Sequence, residues 1–182
     1  MKTDKKIVLH IDQDGVLATW NYVNTGTLYE TGYFANLEKN GPVPEGIEIF
    51  MRNYPDIEVG LLSSYLSDKT SAIEEKAEWL YKNMPYFFGH ANLLFIPCGE
   101  SKLKATEDDG LIHILLDDYS PNLIEFVSKK NNFGIKLLNG INGAGKKWDG
   151  PAISSLDVTP EDFSSNLYEI VNTLVERGKR NA

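Results

Sequence analysis

Five short runs of this chain are nearly continuous in apolar residues: KIVLHID (residues 6–12), IEVGLLSS (57–64), ANLLFIP (91–97), LIHILLDD (111–118) and FGIKLLN (133–139). A strand with one face in water alternates apolar and polar residues. A strand covered on both faces does not, so such runs belong to parallel sheets flanked by helices. Helical patterns lie between them. Ile47, Phe50, Met51 and Tyr54 recur at i, i+3, i+4 and i+7 behind Pro44, and residues 68–83 set Ile73, Ala77 and Leu80 on one face. Ser120-Pro121 and Thr159-Pro160 read as N-caps followed by proline at the first helical position. The second precedes Phe163, Leu167, Ile170 and Leu174. The alternation predicts an α/β fold, a Rossmann-like three-layer sandwich with a parallel central sheet.

The 182 residues suit one domain spanning 1–182. Residues 19–44 break the pattern. They hold Trp20, Tyr22, Tyr29, Tyr33 and Phe34 among glycines and prolines, and they read as a small insertion over a site. No apolar run approaches the ~18 residues of a membrane span. The lysines near residue 1 precede a short apolar stretch broken by His10 and Asp12, which does not read as a secretory signal. A single cysteine, Cys98, allows no internal disulfide and fits a reducing, cytoplasmic compartment. The net charge of −8 and the lack of a basic face argue against a long nucleic acid as partner. A small anion is different, since one lysine and a metal ion can hold it locally.

In open α/β sheets, ligands bind beyond the carboxyl ends of the strands. Three of the expected strands end in Asp12 and Asp14, in Ser63 and Ser64, and in Asp117 and Asp118; a fourth leads into PCGESKLK, with Lys102 and Lys104. Four carboxylates brought to one crevice repel each other unless a cation joins them. Oxygen ligands select a hard divalent ion, most simply Mg²⁺, which keeps some coordination positions for water or phosphate oxygens. Serine hydroxyls and a lysine then make a phosphate cradle. One carboxylate is left to act as nucleophile and another to carry a proton.

The order DQDGV, LLSS, the lysine of GESKLK and LLDDYSPN resembles the haloacid dehalogenase superfamily of phosphohydrolases. Within it, DQDGVLATW, KAEWL followed by NMPYF, IPCGESK, LLDDYSPN and GIKLLNGIN look most like the 5'(3')-deoxyribonucleotidase-type group. The resemblance implies a Mg²⁺-dependent phosphatase with a small cap insertion at about 19–44. Asp12 would be the nucleophile that becomes an aspartyl-phosphate. Asp14 would protonate the leaving group, activate the hydrolytic water and offer its backbone carbonyl to the metal. Ser63 with Ser64 would hold phosphate oxygens, Lys102 would balance charge on the phosphate and on Asp12, and Asp117 and Asp118 would hold the metal with Asp12. The expected substrate is a nucleoside monophosphate. Trp20, Tyr33 and Phe34 are candidates to stack on its base.

Rival readings are weaker. A calcium loop starting at Asp12 would need glycine at its sixth position and glutamate at its twelfth, where Leu17 and Val23 stand. GINGAGK (140–146) fits a phosphate-binding loop up to its lysine, but Lys147 follows where serine or threonine would hold Mg²⁺. A non-enzymatic receiver that is phosphorylated on aspartate uses similar residues but places its acidic pair first, whereas here the pair follows the lysine. A smaller phosphomonoester remains the alternative substrate, because residues 19–44 are short for a nucleotide-specific cap. His10 and His113 fall inside expected strands and are expected to be packed or hydrogen-bonded; Cys98 has no histidine partner in view.

Overall fold

The structure is a computed structural model that describes residues 7–20, 26–106, 109–141 and 147–180. Six parallel strands, β1 (Ile7–Ile11), β2 (Ile57–Tyr65), β3 (Asn92–Pro97), β4 (Ile112–Asp117), β5 (Asn132–Leu138) and β6 (Ala152–Ser154), form one sheet in the order β3-β2-β1-β4-β5-β6. The five expected strands are all present. The three residues of β6 are too few to leave a period in the sequence. The strand order reverses direction between β1 and β4, which opens a crevice at the carboxyl edge there.

The two faces of the sheet carry unequal cover. Leu9, Ile11, Leu61, Ile114, Leu116, Ile135 and Leu137 point into a large core. It is closed by α1 (Val43–Asn53), α2 (Ala72–Asn83), α3 (Pro85–His90) and α5 (Pro160–Arg180). The opposite face is thinner, with Leu62, Ile96 and Leu115 packed on Leu123 and Phe126 of α4 (Ser120–Phe126). Helices on both faces make the Rossmann-like three-layer sandwich. On the thin side, His10 Nε2 and His113 Nδ1 are 3.0 Å apart, His113 Nε2 reaches Asp109, and the rings of His10 and Phe126 pack in a T-shape. Burial beside His113 and Lys102 holds His10 down at about 4, so it is neutral at pH 7.

The helix starts follow their sequence signals closely. Thr159 Oγ accepts the amide of Asp162 at 3.1 Å and caps α5. At α4 the N-cap is Tyr119, one residue before the expected Ser120. The expected face of α2 is corrected. Ile73 is exposed, and the buried stripe is Ala72, Glu75, Lys76, Trp79 and Leu80, which keeps the helical period but includes two charged residues. Counting apolar residues alone shifts the stripe by one position.

Between β1 and α1 the described residues of the insertion hold two 3₁₀ turns, Thr27–Tyr29 and Phe34–Asn36; its expected limit at 44 overlaps the start of α1. Tyr22 and most of GINGAGK lie outside the described residues. Among the described residues, no helix is long and apolar enough to cross a membrane.

Candidate active site

Register builds the floor of the site. Ile11 pairs with Leu116, so the next residues, Asp12 and Asp117, emerge side by side, and the Asp12 amide donates to Leu116 O at 3.0 Å. The chain then turns at once. Gly15 sits at φ +79°, and a Cβ there would lie 2.2 Å from Asp118 Oδ2, so only glycine lets the turn approach the acidic pair. Asn40 and Asn139 both donate to the Gly15 carbonyl, at 2.9 and 2.8 Å, and Asn139 also donates to Asp118 Oδ2 at 3.0 Å.

The structure brings Asp12, Asp117 and Asp118 together, with one carboxylate oxygen of each within 4.8 Å of the others, and all three are buried. Lys102 arrives from a 3₁₀ turn, Lys102–Ala105, whose leading residue Ser101 accepts the Leu103 amide. Its ammonium lies 2.7 Å from Asp117 Oδ2 and 3.1 Å from Asp12 Oδ1. Burial disfavours the charged amine, but Asp117 and Asp12 outweigh it and raise Lys102 above its ordinary value. Lys104 is turned away on the surface, paired with Glu100.

The acids divide by environment. Asp117 also accepts from the Tyr119 amide and from Asn122. Burial raises Asp117, Lys102 offsets part of the rise, and Asp12 adds to it. Asp118 is pushed up to about 7 by burial and by Asp117 and Asp12. Burial raises Asp14 as well, against the pull of Lys76.

Lys76 went unassigned in the sequence. It stands on the buried stripe of α2, fully enclosed, with its ammonium 2.6 Å from Asp14 Oδ2 and 3.1 Å from Ser63 Oγ. Its signal was the KAEWL stretch. Asn122 and Asn139 lie likewise in the LLDDYSPN and GIKLLN stretches, whereas Asn40 had no sequence signal. Lys136, paired in register with Asp117, is buried and donates to Ser120 Oγ at 2.5 Å.

Successive strand residues face opposite sides, and this separates the two serines. Ser63 points to the α2 side and meets Lys76, while Ser64 lines a cavity of about 500 Å³. Asp12, Asp14 and Asp118 lie at that cavity's wall, with Trp20, Leu28 and Phe34 from the insertion. Tyr33 is not among the lining residues and packs edge-to-face on Phe34. Cys98 is exposed and lines the cavity too.

The donor set fits a hard divalent cation. Every candidate ligand is an oxygen, and the buried Oδ1 atoms of Asp12 and Asp14 have no hydrogen-bond donor aligned on them.

No protein-family model and no curated protein matches the sequence. Among solved structures, the chain is similar to a hypothetical protein from Xanthomonas campestris, with a TM-score of 0.51 and 14% identity over 94% of this chain and 85% of that one. At that identity the likeness shows the fold alone.

Proposed function

We propose that the protein is a Mg²⁺-dependent phosphomonoester hydrolase of the haloacid dehalogenase kind, acting through an aspartyl-phosphate on Asp12, with a nucleoside monophosphate as substrate. The observation that carries this reading is the pairing of two acids in one cavity wall. Asp12 shares Lys102 with Asp117, and two residues on Asp14 is held by its own buried lysine.

In the first step an Asp12 carboxylate oxygen attacks phosphorus, the ester P–O bond breaks, and Asp14 gives its proton to the departing alkoxide. In the second, Asp14 takes a proton from water, whose oxygen attacks phosphorus, so that inorganic phosphate leaves and Asp12 is restored. The raised affinity of buried Asp14 for a proton supports its role as carrier. Lys102 opposes the charge on Asp12 and on the incoming phosphate, and Ser64 offers its hydroxyl from the cavity wall. Asp12, Asp117, Asp118 and the Asp14 carbonyl would hold Mg²⁺, which supplies charge neutralisation for the carboxylates and phosphate oxygens. Uncatalysed phosphate-monoester hydrolysis needs up to ~10²¹-fold acceleration, which demands several such contributions together.

The substrate reading rests on the cavity. Its size suits a nucleoside, and Trp20 and Phe34 offer aromatic surface. Among the described lining residues are Glu100 and Glu125 and no lysine or arginine, which favours a leaving group without further negative charge.

The test is phosphate release with Mg²⁺ across deoxyribonucleoside and ribonucleoside monophosphates, sugar phosphates and phenyl phosphate. No release from any of them sinks the enzyme reading. Equal kcat/KM for nucleotides and simple phosphoesters sinks only the nucleotide reading.

A further inference from the structure

A further buried ion pair lies beside the cavity and takes no part in the chemistry above. Lys69 and Glu75 meet at 2.7 Å with both side chains buried. Both also hold the backbone of the insertion. The Lys69 ammonium donates to Leu28 O at 3.2 Å and Glu30 O at 2.8 Å, which uses all three of its protons. Glu75 accepts the amides of Gly32 at 2.9 Å and Phe34 at 3.1 Å, and Ser71 Oγ at 2.7 Å. Burial pushes the Glu75 carboxyl up, but Lys69, Ser71 and the two amides outweigh it, so it is ionised at pH 7. Further along, Trp79 Nε1 donates to Leu37 O at 2.6 Å.

These ties run from α2 and the loop before it to the part of the insertion that walls the cavity. Phe34, whose amide Glu75 holds, has its ring 4.9 Å from the Lys69 ammonium and 5.0 Å from that of Lys76. A cap that closes on a ligand must order its backbone at that moment, at a cost to affinity; a wall already tied to the scaffold need not.

We infer that Lys69 and Glu75 are positioning residues for substrate selection: they clamp residues 28–34 to α2, so that Phe34 presents a fixed wall to the leaving group. The inference rests on the phosphatase reading for its kinetic consequence alone. Lys76, which holds Asp14 and Ser63, shares no hydrogen bond with Lys69 or Glu75, so the chemical step is expected to be spared.

The test compares the wild type with Glu75→Gln, in which one accepting oxygen becomes an amide that cannot accept. Hydrogen exchange at Gly32 and Phe34 is expected to speed up by about tenfold or more, the scale of one hydrogen bond to a charged group, with amides of α5 unchanged. KM for the fastest nucleoside monophosphate should rise about tenfold, while kcat for phenyl phosphate stays within about twofold. A lower melting temperature alone would mark a merely structural pair. Unchanged exchange at 32 and 34, or equal loss on both substrates, overturns the inference. If Glu75→Gln does not fold, the double variant Lys69→Met with Glu75→Leu removes both charges together and carries the same comparison. If no phosphoester is hydrolysed at all, the assignment to leaving-group selection falls with the phosphatase reading, and exchange still decides whether the clamp exists.

Discussion

Lys69 and Lys102 are both buried ammonium groups held by carboxylates, and their surroundings are built on opposite terms. Around Lys69 there is one carboxylate, the charges cancel, and each proton and each carboxylate oxygen has a partner. Around Lys102 there are two carboxylates in direct contact, with Asp118 and Asp14 beside them and Lys76 as the second counter-charge. Carboxyl groups outnumber ammonium groups there, and buried oxygens of Asp12 and Asp14 lack aligned donors. A satisfied pair holds structure; a crowded and under-satisfied one is held in place by the fold around it and is the kind of site at which a ligand can be proposed. Burial alone does not distinguish the two lysines.

The largest effect that can break this contrast is on turnover. Asp12→Asn changes little volume but removes the proposed nucleophile, and kcat is expected to fall at least ~10⁴-fold with the circular dichroism spectrum unchanged. Substantial activity in the pure variant would remove Asp12 from the mechanism. Next comes Lys102→Ala, expected to cost about 10²–10³ in kcat/KM because its charge acts where water is excluded. The exposed Lys104–Glu100 pair is the control, and Lys104→Ala should change kcat/KM less than about twofold. The reverse ranking would reassign the lysine.

On the clamp side the effect is on stability. Glu75→Ala leaves a buried ammonium unpaired and is expected to cost about 3–5 kcal/mol by denaturant unfolding. Removing both partners with Lys69→Met and Glu75→Leu should cost less than either single change. A double variant worse than the sum of the singles would show that the charges themselves hold the insertion.

The smallest effect sharpens the contrast most. In metal-free protein Asp118 holds a proton up to about 7, against roughly 3.9 for an unfolded aspartate. Between those values the folded state binds more protons than the unfolded state, so this group makes stability fall as pH rises, by up to about 1.4 kcal/mol per pH unit. His10 acts in the opposite direction: it stays neutral down to about 4 when folded, and stability is lost as pH falls from about 6.5. The main cause of its shift is burial, which does not depend on the metal. The difference between melting curves in Mg²⁺ and in chelator should therefore widen from pH 5 to pH 7.5, and calorimetry near pH 6.5 should show protons released on Mg²⁺ binding. A difference independent of pH would mean that Asp118 is already ionised without metal. No such effect is expected at the neutral Lys69–Glu75 pair.

The sequence by itself determined the sheet and the floor of the site. Apolar runs that must be covered on both faces left little choice but parallel strands with helices between them, and five of the six strands followed from that constraint. The acids were legible because each stands within three residues of a strand's end, where chain order alone brings it to the carboxyl edge. Lys102 was legible from its place after β3. Tertiary structure alone decided the rest. Whether Glu75 and Lys76 face solvent or core depends on a one-position rotation of α2 that apolar counting gets wrong, because two charged residues are buried there against partners about 40 to 60 positions away in the chain. The division of labour between Ser63 and Ser64 depends on which face of β2 meets α2. The tie between Asn40, Asn139 and the Gly15 carbonyl joins three segments that share no local pattern. Short-range periodicity records what each segment must bury, but a charge placed in the interior is specified by its partner, and the partner is chosen by the packing of the whole domain.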